Sequence, residues 1–249
     1  MYYCCGITDK GIMPHNEDAL LVGGEVLTDG NAEKHIAPPF VMAVSDGVSG
    51  ENAGELASRM CLDMVKDLTD LEPDALKESI MGIHRRLSEY SKEDTESRNM
   101  QTTLCGIAIG ENGRTLAFNV GDSRLYRFRA GEIRQLSRDQ SFMQLLLDEG
   151  AITQEERKNH VHKNVIFPAL GNLKNDPTVD ISYLEDNMEY GDVLLLCSDG
   201  LSDSLTGYDI QEIMDLPKGL PVRLSMLVKA ALTRGCDDNI TVAAVVYED

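Results

Sequence analysis

Asp46 and Asp199 each stand at the end of an apolar run, in FVMAVSDGVSG (Phe40 to Gly50) and VLLLCSDGLSD (Val193 to Asp203), and each is followed by a glycine. A carboxylate just past the end of a buried strand is held rigidly at the rim of a sheet, and the glycine behind it lets other backbone approach closely. A lone Ser-Asp-Gly is an ordinary turn, because Asp and Gly both favour turns. Three more acidic groups border apolar strands here, however: Glu17-Asp18 in HNEDALL, Asp122 in NVGDSRLY, and Asp237-Asp238 ahead of NITVAAVV. Oxygen-rich groups with few His or Cys partners suit hard cations such as Mg²⁺ or Mn²⁺ rather than zinc. Two such ions a few ångströms apart lower the pKa of a bridging water and stabilise in-line attack on phosphorus.

Short β-type runs recur at Leu20–Leu27, Phe40–Ser45, Thr103–Ile109, Thr115–Val120, Leu125–Arg129, Val179–Tyr183, Val193–Cys197 and Ile240–Tyr247. Leu56, Ala57, Met60, Cys61, Met64, Val65 and Leu68 share one face of a helix, and a second helix follows Pro73 with Leu76, Ile80, Ile83, Leu87 and Tyr90 inward. Both helices lie between the second and third strands, so most strands connect by short turns such as Ala130-Gly131. Antiparallel strands with grouped helices predict α+β layers rather than a doubly wound parallel sheet. The stretch from Ser141 to Asp176, with a short helix around Met143–Leu147 and then QEERKNHVHKN, reads as a mobile surface insertion.

A chain of 249 residues can bury roughly three quarters of its unfolded surface. No linker or internal repeat divides it, so a single domain over residues 1–249 is expected. With 23 basic and 42 acidic residues the net charge is −19, which disfavours nucleic acid and anionic lipid as partners. The six cysteines contain no CxxC pair, and no run approaches the roughly 20 apolar residues of a membrane span. These features read as a cytoplasmic protein in a reducing compartment.

The order of NEDALL, AVSDGVSG, TTLCGIAI, NVGDSRLYRFR, LSRDQS, ALG, LLLCSDGLSD and DDNITVAAVV resembles the metal-dependent protein serine/threonine phosphatases of the PPM, or type 2C, family, in their bacterial form. The resemblance implies a four-layer αββα sandwich of two antiparallel sheets flanked by helices, with a binuclear Mn²⁺ or Mg²⁺ centre in a cleft at one end. Asp46 would bridge the two metals, and the Gly47 carbonyl would bind one of them. Asp199 and Asp238 would hold the other, with Asp18 and Glu17 acting directly or through water. Asp46, Asp199 and Asp238 are thus the expected catalytic residues. Asp122 with Asp199 would form a third, weaker metal site, and the insertion at about 141–176 would be the family's flap. The implied partners are phosphoserine and phosphothreonine proteins, substrates of a cognate kinase, met by a monomer.

The sequence departs from the pattern in two places. Met13 stands where members usually carry an Arg, five residues before the Asp of the NED-type motif, and a thioether cannot grip phosphate as a guanidinium does. Val48 follows the second Asp-Gly, where many eukaryotic members have a proton-donating His; His15, the histidine next to a metal motif, reads as an ordinary loop residue. Ser49 lacks the spacing of a nucleophile elbow and reads as the residue before a helix. Three readings follow: a metal-dependent phosphatase, a catalytically weak relative that binds phosphoproteins or regulates a partner, and an acidic domain whose metals only stabilise the fold.

Overall fold

The strands alternate too little to leave one face wet. Leu20, Met42, Val44, Ile107, Leu194, Leu196, Ala243 and Val245, from both halves of the sequence, bury almost completely against one another. That layer forms because two sheets meet face to face. The computed structural model describes residues 1–48, 53–94, 97–153, 156, 160–162 and 165–248.

Among the described residues the strands are β1 (Tyr2–Asp9), β2 (Asp18–Val22), β3 (Glu25–Leu27), β4 (Gly30–Ile36), β5 (Phe40–Asp46), β6 (Leu104–Ile109), β7 (Thr115–Val120), β8 (Arg124–Arg129), β9 (Glu132–Gln135), β10 (Asp180–Tyr183), β11 (Val193–Cys197) and β12 (Ile240–Tyr247). One six-stranded sheet runs β4-β1-β12-β11-β8-β9 and the other β10-β7-β6-β5-β2-β3. Every ladder is antiparallel.

Helices α1 (Gly54–Val65) and α2 (Pro73–Glu93) cover the second sheet, where Ala57, Cys61, Leu76, Ile80 and Leu87 pack on Leu21, Ala43, Leu104 and Phe118. The short helix α3 (Phe142–Asp148) follows β9. Helices α4 (Asp199–Ser204), α5 (Gly207–Met214) and α6 (Leu220–Thr233) cover the first sheet, with Ile210, Leu224, Leu227 and Ala231 on Leu195, Val242 and Ala244. The order helix, sheet, sheet, helix is the αββα sandwich that the resemblance implies.

The elements depart from the sequence reading in identifiable ways. The run Leu20–Leu27 is two strands, because Gly23 and Gly24 both have positive φ, 59° and 77°, and turn the chain into a two-residue hairpin. β1 and β4 were not expected. YYCCGITD has a Gly and two Cys among few β-branched residues, and GNAEKHI is mostly exposed, so pairing with neighbours rather than propensity makes them strands. α5 and α6 were also not expected, although Leu220, Leu224, Leu227, Val228 and Ala231 keep helical spacing and Pro221 sits in the first turn. A capping box between Thr206 and Asp209 opens α5.

The 141–176 insertion is tied down where its two ends are described. The Phe142 N–H donates to the Val165 carbonyl at 2.9 Å, and the Phe167 N–H to the Gln140 carbonyl at 2.9 Å. The expected mobility belongs to the whole insertion, of which residues 154, 155, 157–159, 163 and 164 lie outside the described residues, as does Ser49.

Candidate metal centre

Asp18 begins β2 and Asp46 ends β5, and the two are directly opposite in the ladder between these strands. Asp199 and Asp238 come from the facing sheet. β11 and β12 are adjacent there, so the residues just past the end of one and just before the start of the other lie together. The four carboxylates therefore meet at one end of the sandwich, where both sheets stop.

Burial and mutual repulsion push these acids towards their neutral forms. The Asp18 carboxyl is raised to about 6, by burial first and by Asp238, against the lowering effect of hydrogen bonds from Thr241 and Ser198. Asp46 is raised well above the usual carboxylate range by burial and then by Asp18, Asp199, Asp238 and Asp122. Asp199 is raised likewise, by burial and then by Asp122, Asp238 and Asp203. Asp122, past the end of β7, is raised to about 7 by burial and by Asp139 and Asp203, with Arg124 opposing. Asp46 feels the charges of Asp18 and Asp199 together, a crowding that carboxylates tolerate only around a shared proton or a cation.

Asp18 is sealed from solvent, whereas Asp46, Asp122, Asp199, Asp238 and Glu17 are half-buried, so the cluster opens to the outside. Among the described residues, no three His, Cys, Asp or Glu side chains form a ready coordination shell; what the fold gathers is their charge. The donor chemistry nonetheless fits a hard divalent cation. Asp18 Oδ1 and Asp199 Oδ1 are buried without a hydrogen-bond partner, and an unpaired buried carboxylate oxygen is costly unless something positive satisfies it.

A layer of hydroxyls and amides fixes the carboxylates. Ser198 Oγ donates to Asp18 Oδ2 at 2.7 Å and accepts from the Thr241 N–H at 3.0 Å, joining the two sheets. The Asp46 N–H donates to Thr103 Oγ1 at 3.1 Å, and the Asp46 carbonyl accepts from the Thr103 N–H and from Thr102 Oγ1, both at 2.8 Å. Asn239 is the hub of the loop before β2. Its Nδ2 donates to the Lys10 and His15 carbonyls at 3.0 and 2.9 Å, and its Oδ1 accepts from the Glu17 N–H at 2.8 Å. Asp139 holds Arg124 in a buried ion pair, with Nη2 to Oδ2 at 2.6 Å, beside Asp122.

The glycines after the two aspartates are needed for space. A Cβ on Gly200 would come 1.9 Å from the Asn239 carbonyl oxygen, and one on Gly47 would come 2.4 Å from the Gly54 carbonyl. The Gly47 N–H donates to the Glu17 carbonyl at 3.0 Å, which holds the two acidic motifs against each other. Glu17's carboxylate lies over Gly54 at the start of α1.

The expected acidic positions thus come together, while Asp237 points outward and stays exposed. Met13 is half-buried in a turn whose N–H bonds the Lys10 carbonyl at 3.1 Å. His15 presents its ring to an open groove with Lys10, Asn16, Glu55 and Arg59. The Val48 N–H is used by the Gln101 carbonyl at 3.0 Å. Sequence reasoning gave no role to Asn239, Ser198, Thr102, Thr103 or the Arg124–Asp139 pair. Their signal was present as polar residues embedded in or abutting apolar strands, where each must find a buried partner.

Known proteins resemble this chain in sequence and fold. The protein-family model described as Protein phosphatase 2C matches residues 23–220. The serine/threonine protein phosphatase PstP of Mycobacterium tuberculosis is 32% identical over 248 residues, covering 97% of this chain and 44% of PstP, so the chain spans less than half the length of that relative. The serine/threonine phosphatase stp of Listeria monocytogenes is 32% identical over 248 residues, 96% of this chain and 93% of that protein. The PstP catalytic domain solved with two manganese ions superposes with a TM-score of 0.80 at 29% identity over 100% of both chains. A sandwich whose sheet ends gather these aspartates, matched along nearly its whole length, places the chain in the protein phosphatase 2C, or PPM, family of serine/threonine phosphatases.

Proposed function

We propose that this chain is a single phosphatase domain over residues 1–249 that hydrolyses phosphoserine and phosphothreonine in proteins, using two Mn²⁺ or Mg²⁺ ions held by Asp18, Asp46, the Gly47 carbonyl, Asp199 and Asp238, with Glu17 assisting. The observation that carries this reading is the pair of buried, unpartnered oxygens on Asp18 and Asp199, on either side of Asp46. The manganese bound by the PstP relative supports the choice of ion. When bound, the ions would activate a water and neutralise charge on the phosphoryl group.

The chain's own residues divide the remaining work. Asp46, from one sheet, and Asp199 and Asp238, from the other, supply the negative charge that concentrates cations at the rim. Ser198, Thr102 and Thr103 lock the rotamers of Asp18 and the backbone of Asp46, so that little reorganisation is needed during the reaction. Asn239 fixes the Lys10–Glu17 loop that carries Glu17 to the carboxylate cluster. Asp122 with Asp199 would hold a third, weaker ion, and the 141–176 insertion would serve as a flap bordering the substrate. The partners are phosphoproteins made by a cognate kinase, in the cytoplasm, and the enzyme acts as a monomer. Among the described residues no helix is long and apolar enough to cross a membrane.

The deciding experiment is a phosphatase assay on phosphothreonine peptides and an aryl phosphate, with Mn²⁺ titrated. Turnover that is saturable in Mn²⁺ and abolished by chelation is expected. Turnover of the aryl phosphate alone, and weakly, would favour the regulatory reading. No turnover at any metal concentration would leave only a structural role.

A further inference from the structure

Asp122 stands in the short turn between β7 and β8, directly after Gly121. Gly121 has a φ of 103°, where a side chain is strained, and a Cβ on it would come 2.7 Å from Thr103 Cγ2. The turn therefore requires glycine, and glycine favours no one conformation by itself. Something outside the turn must hold it if Asp122 is to keep a fixed direction towards Asp199.

Gln140, buried between β9 and α3, grips both sides of Gly121. The Gly121 N–H donates to Gln140 Oε1 at 2.9 Å, and the Gln140 N–H donates to the Gly121 carbonyl at 2.9 Å. One contact orients the peptide plane before Gly121 and the other the plane after it. Because peptide groups are planar, the two together restrain both dihedral angles of that residue, and so the direction in which the chain enters Asp122. The Gln140 amide is anchored in turn. Its Nε2 donates to Asp180 Oδ2 at 2.8 Å and to the Asn119 carbonyl at 3.4 Å, and these two residues are opposite each other in the β7–β10 ladder. On the far side of Asp122, Ser123 Oγ and Thr103 Oγ1 are hydrogen-bonded at 2.8 Å.

We propose that Gln140 is a positioning residue for the third ion, holding Gly121 so that the Asp122 carboxylate meets that of Asp199. The inference rests on the reading of that pair as an ion site. Gln140 meets no reacting atom and acts through the Gly121 backbone. The work needs an amide: the side chain must accept from the Gly121 N–H and donate to a carboxylate at the same time. A Glu would accept but would set a second carboxylate against Asp180, and a Met would do neither. The hydrogen bond from the Gln140 N–H survives any such substitution, so the contribution of the side chain can be removed while the backbone pairing stays. Outer contacts that orient a ligand govern roughly 10- to 100-fold in metal affinity.

The test is a calorimetric titration of the full metal-free chain with Mn²⁺, in which the third ion is the weak binding step that disappears in Asp122→Ala. In Gln140→Met that step should weaken by about tenfold or more, while the tighter steps stay within about twofold of the parent. Gln140→Glu should weaken it as well. Adding Asp180→Asn to Gln140→Glu reverses donor and acceptor in their contact and should restore the affinity to within about threefold. Thermal melts establish that each variant is folded, and if Gln140→Met is not, the Gln140→Glu single and double variants decide the question. A weak step that depends on Asp122 but is unchanged in the folded Gln140 variants would overturn this inference and leave the third ion standing. Equal weakening of every step, or no restoration in the double variant, would reduce Gln140 to a general support and overturn it too. A parent without any step that depends on Asp122 would overturn the third ion and this inference together.

Discussion

Asp18 and Asp46 are Cα partners across the β2–β5 ladder, one at the first residue of its strand and the other at the last. Two acids placed side by side at the rim of a sheet repel each other, and Asp46 is raised by Asp18 in addition to its burial. The fold holds this unfavourable pair in place through Ser198, Thr102 and Thr103. Such stored repulsion is released by a cation, and the expectations below follow from it.

Removing the central charge should separate catalysis from stability. Asp46→Asn keeps the shape of the side chain but removes one negative charge from the cluster. Turnover at saturating Mn²⁺ should fall by at least about 100-fold, the scale seen when one electrostatic group is lost from an active site. The metal-free variant should melt at a higher temperature than the metal-free parent, because one repulsive term is gone. Steady-state kinetics and thermal melts check both halves; turnover within tenfold of the parent would exclude a bridging role.

The raised carboxyls make a signed statement about pH. Asp18 at about 6 and Asp122 at about 7 hold protons in the folded chain at pH values where the unfolded carboxyl, near 3.9, has lost them. The folded state therefore binds more protons between about pH 4 and pH 7, and stability of the metal-free protein must fall as pH rises through that window. Bound Mn²⁺ replaces those protons, so the gain in melting temperature on adding Mn²⁺ should grow over the same interval. Melts with and without Mn²⁺ from pH 5 to pH 8 test this. Asp122→Asn should flatten the metal-free slope, and an unchanged slope would show that this carboxyl does not titrate there.

Asn239 is expected to matter as much as the acids it stands beside. Asn239→Ala strips three hydrogen bonds from the Lys10–Glu17 loop and leaves the Lys10 and His15 carbonyls and the Glu17 N–H short of partners. A stability loss of about 2–4 kcal/mol follows if each costs on the order of 1 kcal/mol. Weaker Mn²⁺ binding should accompany it, since Glu17 and Asp18 are positioned by this loop. Urea denaturation and a Mn²⁺ titration of activity measure the two effects; full metal affinity in a destabilised variant would confine Asn239 to a structural role.

Met13 tests the substrate side. It is half-buried on the loop that leads into Glu17 and Asp18, and Met13→Arg should lower KM for phosphopeptides by a charge-assisted contact of about 1–3 kcal/mol at most. A contact made equally in ground and transition states leaves kcat nearly unchanged. Values of kcat, KM and phosphate inhibition at fixed Mn²⁺ decide the matter. Unchanged KM and unchanged phosphate inhibition in a folded variant would place this side chain away from the substrate phosphate.

The sequence by itself determined where the acidic groups border strands, and most of the strands. Apolar runs ending in Ser-Asp-Gly, with acidic residues at Asp18, Asp122 and Asp238, are legible because a strand end and a carboxylate are both local properties of the chain. The faces of α1 and α2 were readable for the same reason, since Ala57, Cys61, Ile80 and Leu87 recur at helical spacing. What only the tertiary structure decided is pairing. β1 and β4 exist because β12 offers its edge to β1 and β1 then offers its own to β4, a long-range choice that local propensity does not encode. The same holds for Asn239, whose amide meets loop residues 222 or more positions away, and for Ser198, which meets Asp18 at a separation of 180 residues. Residue type and spacing named the acids, but packing the two sheets face to face made them neighbours, and only neighbours repel strongly enough to call for a metal.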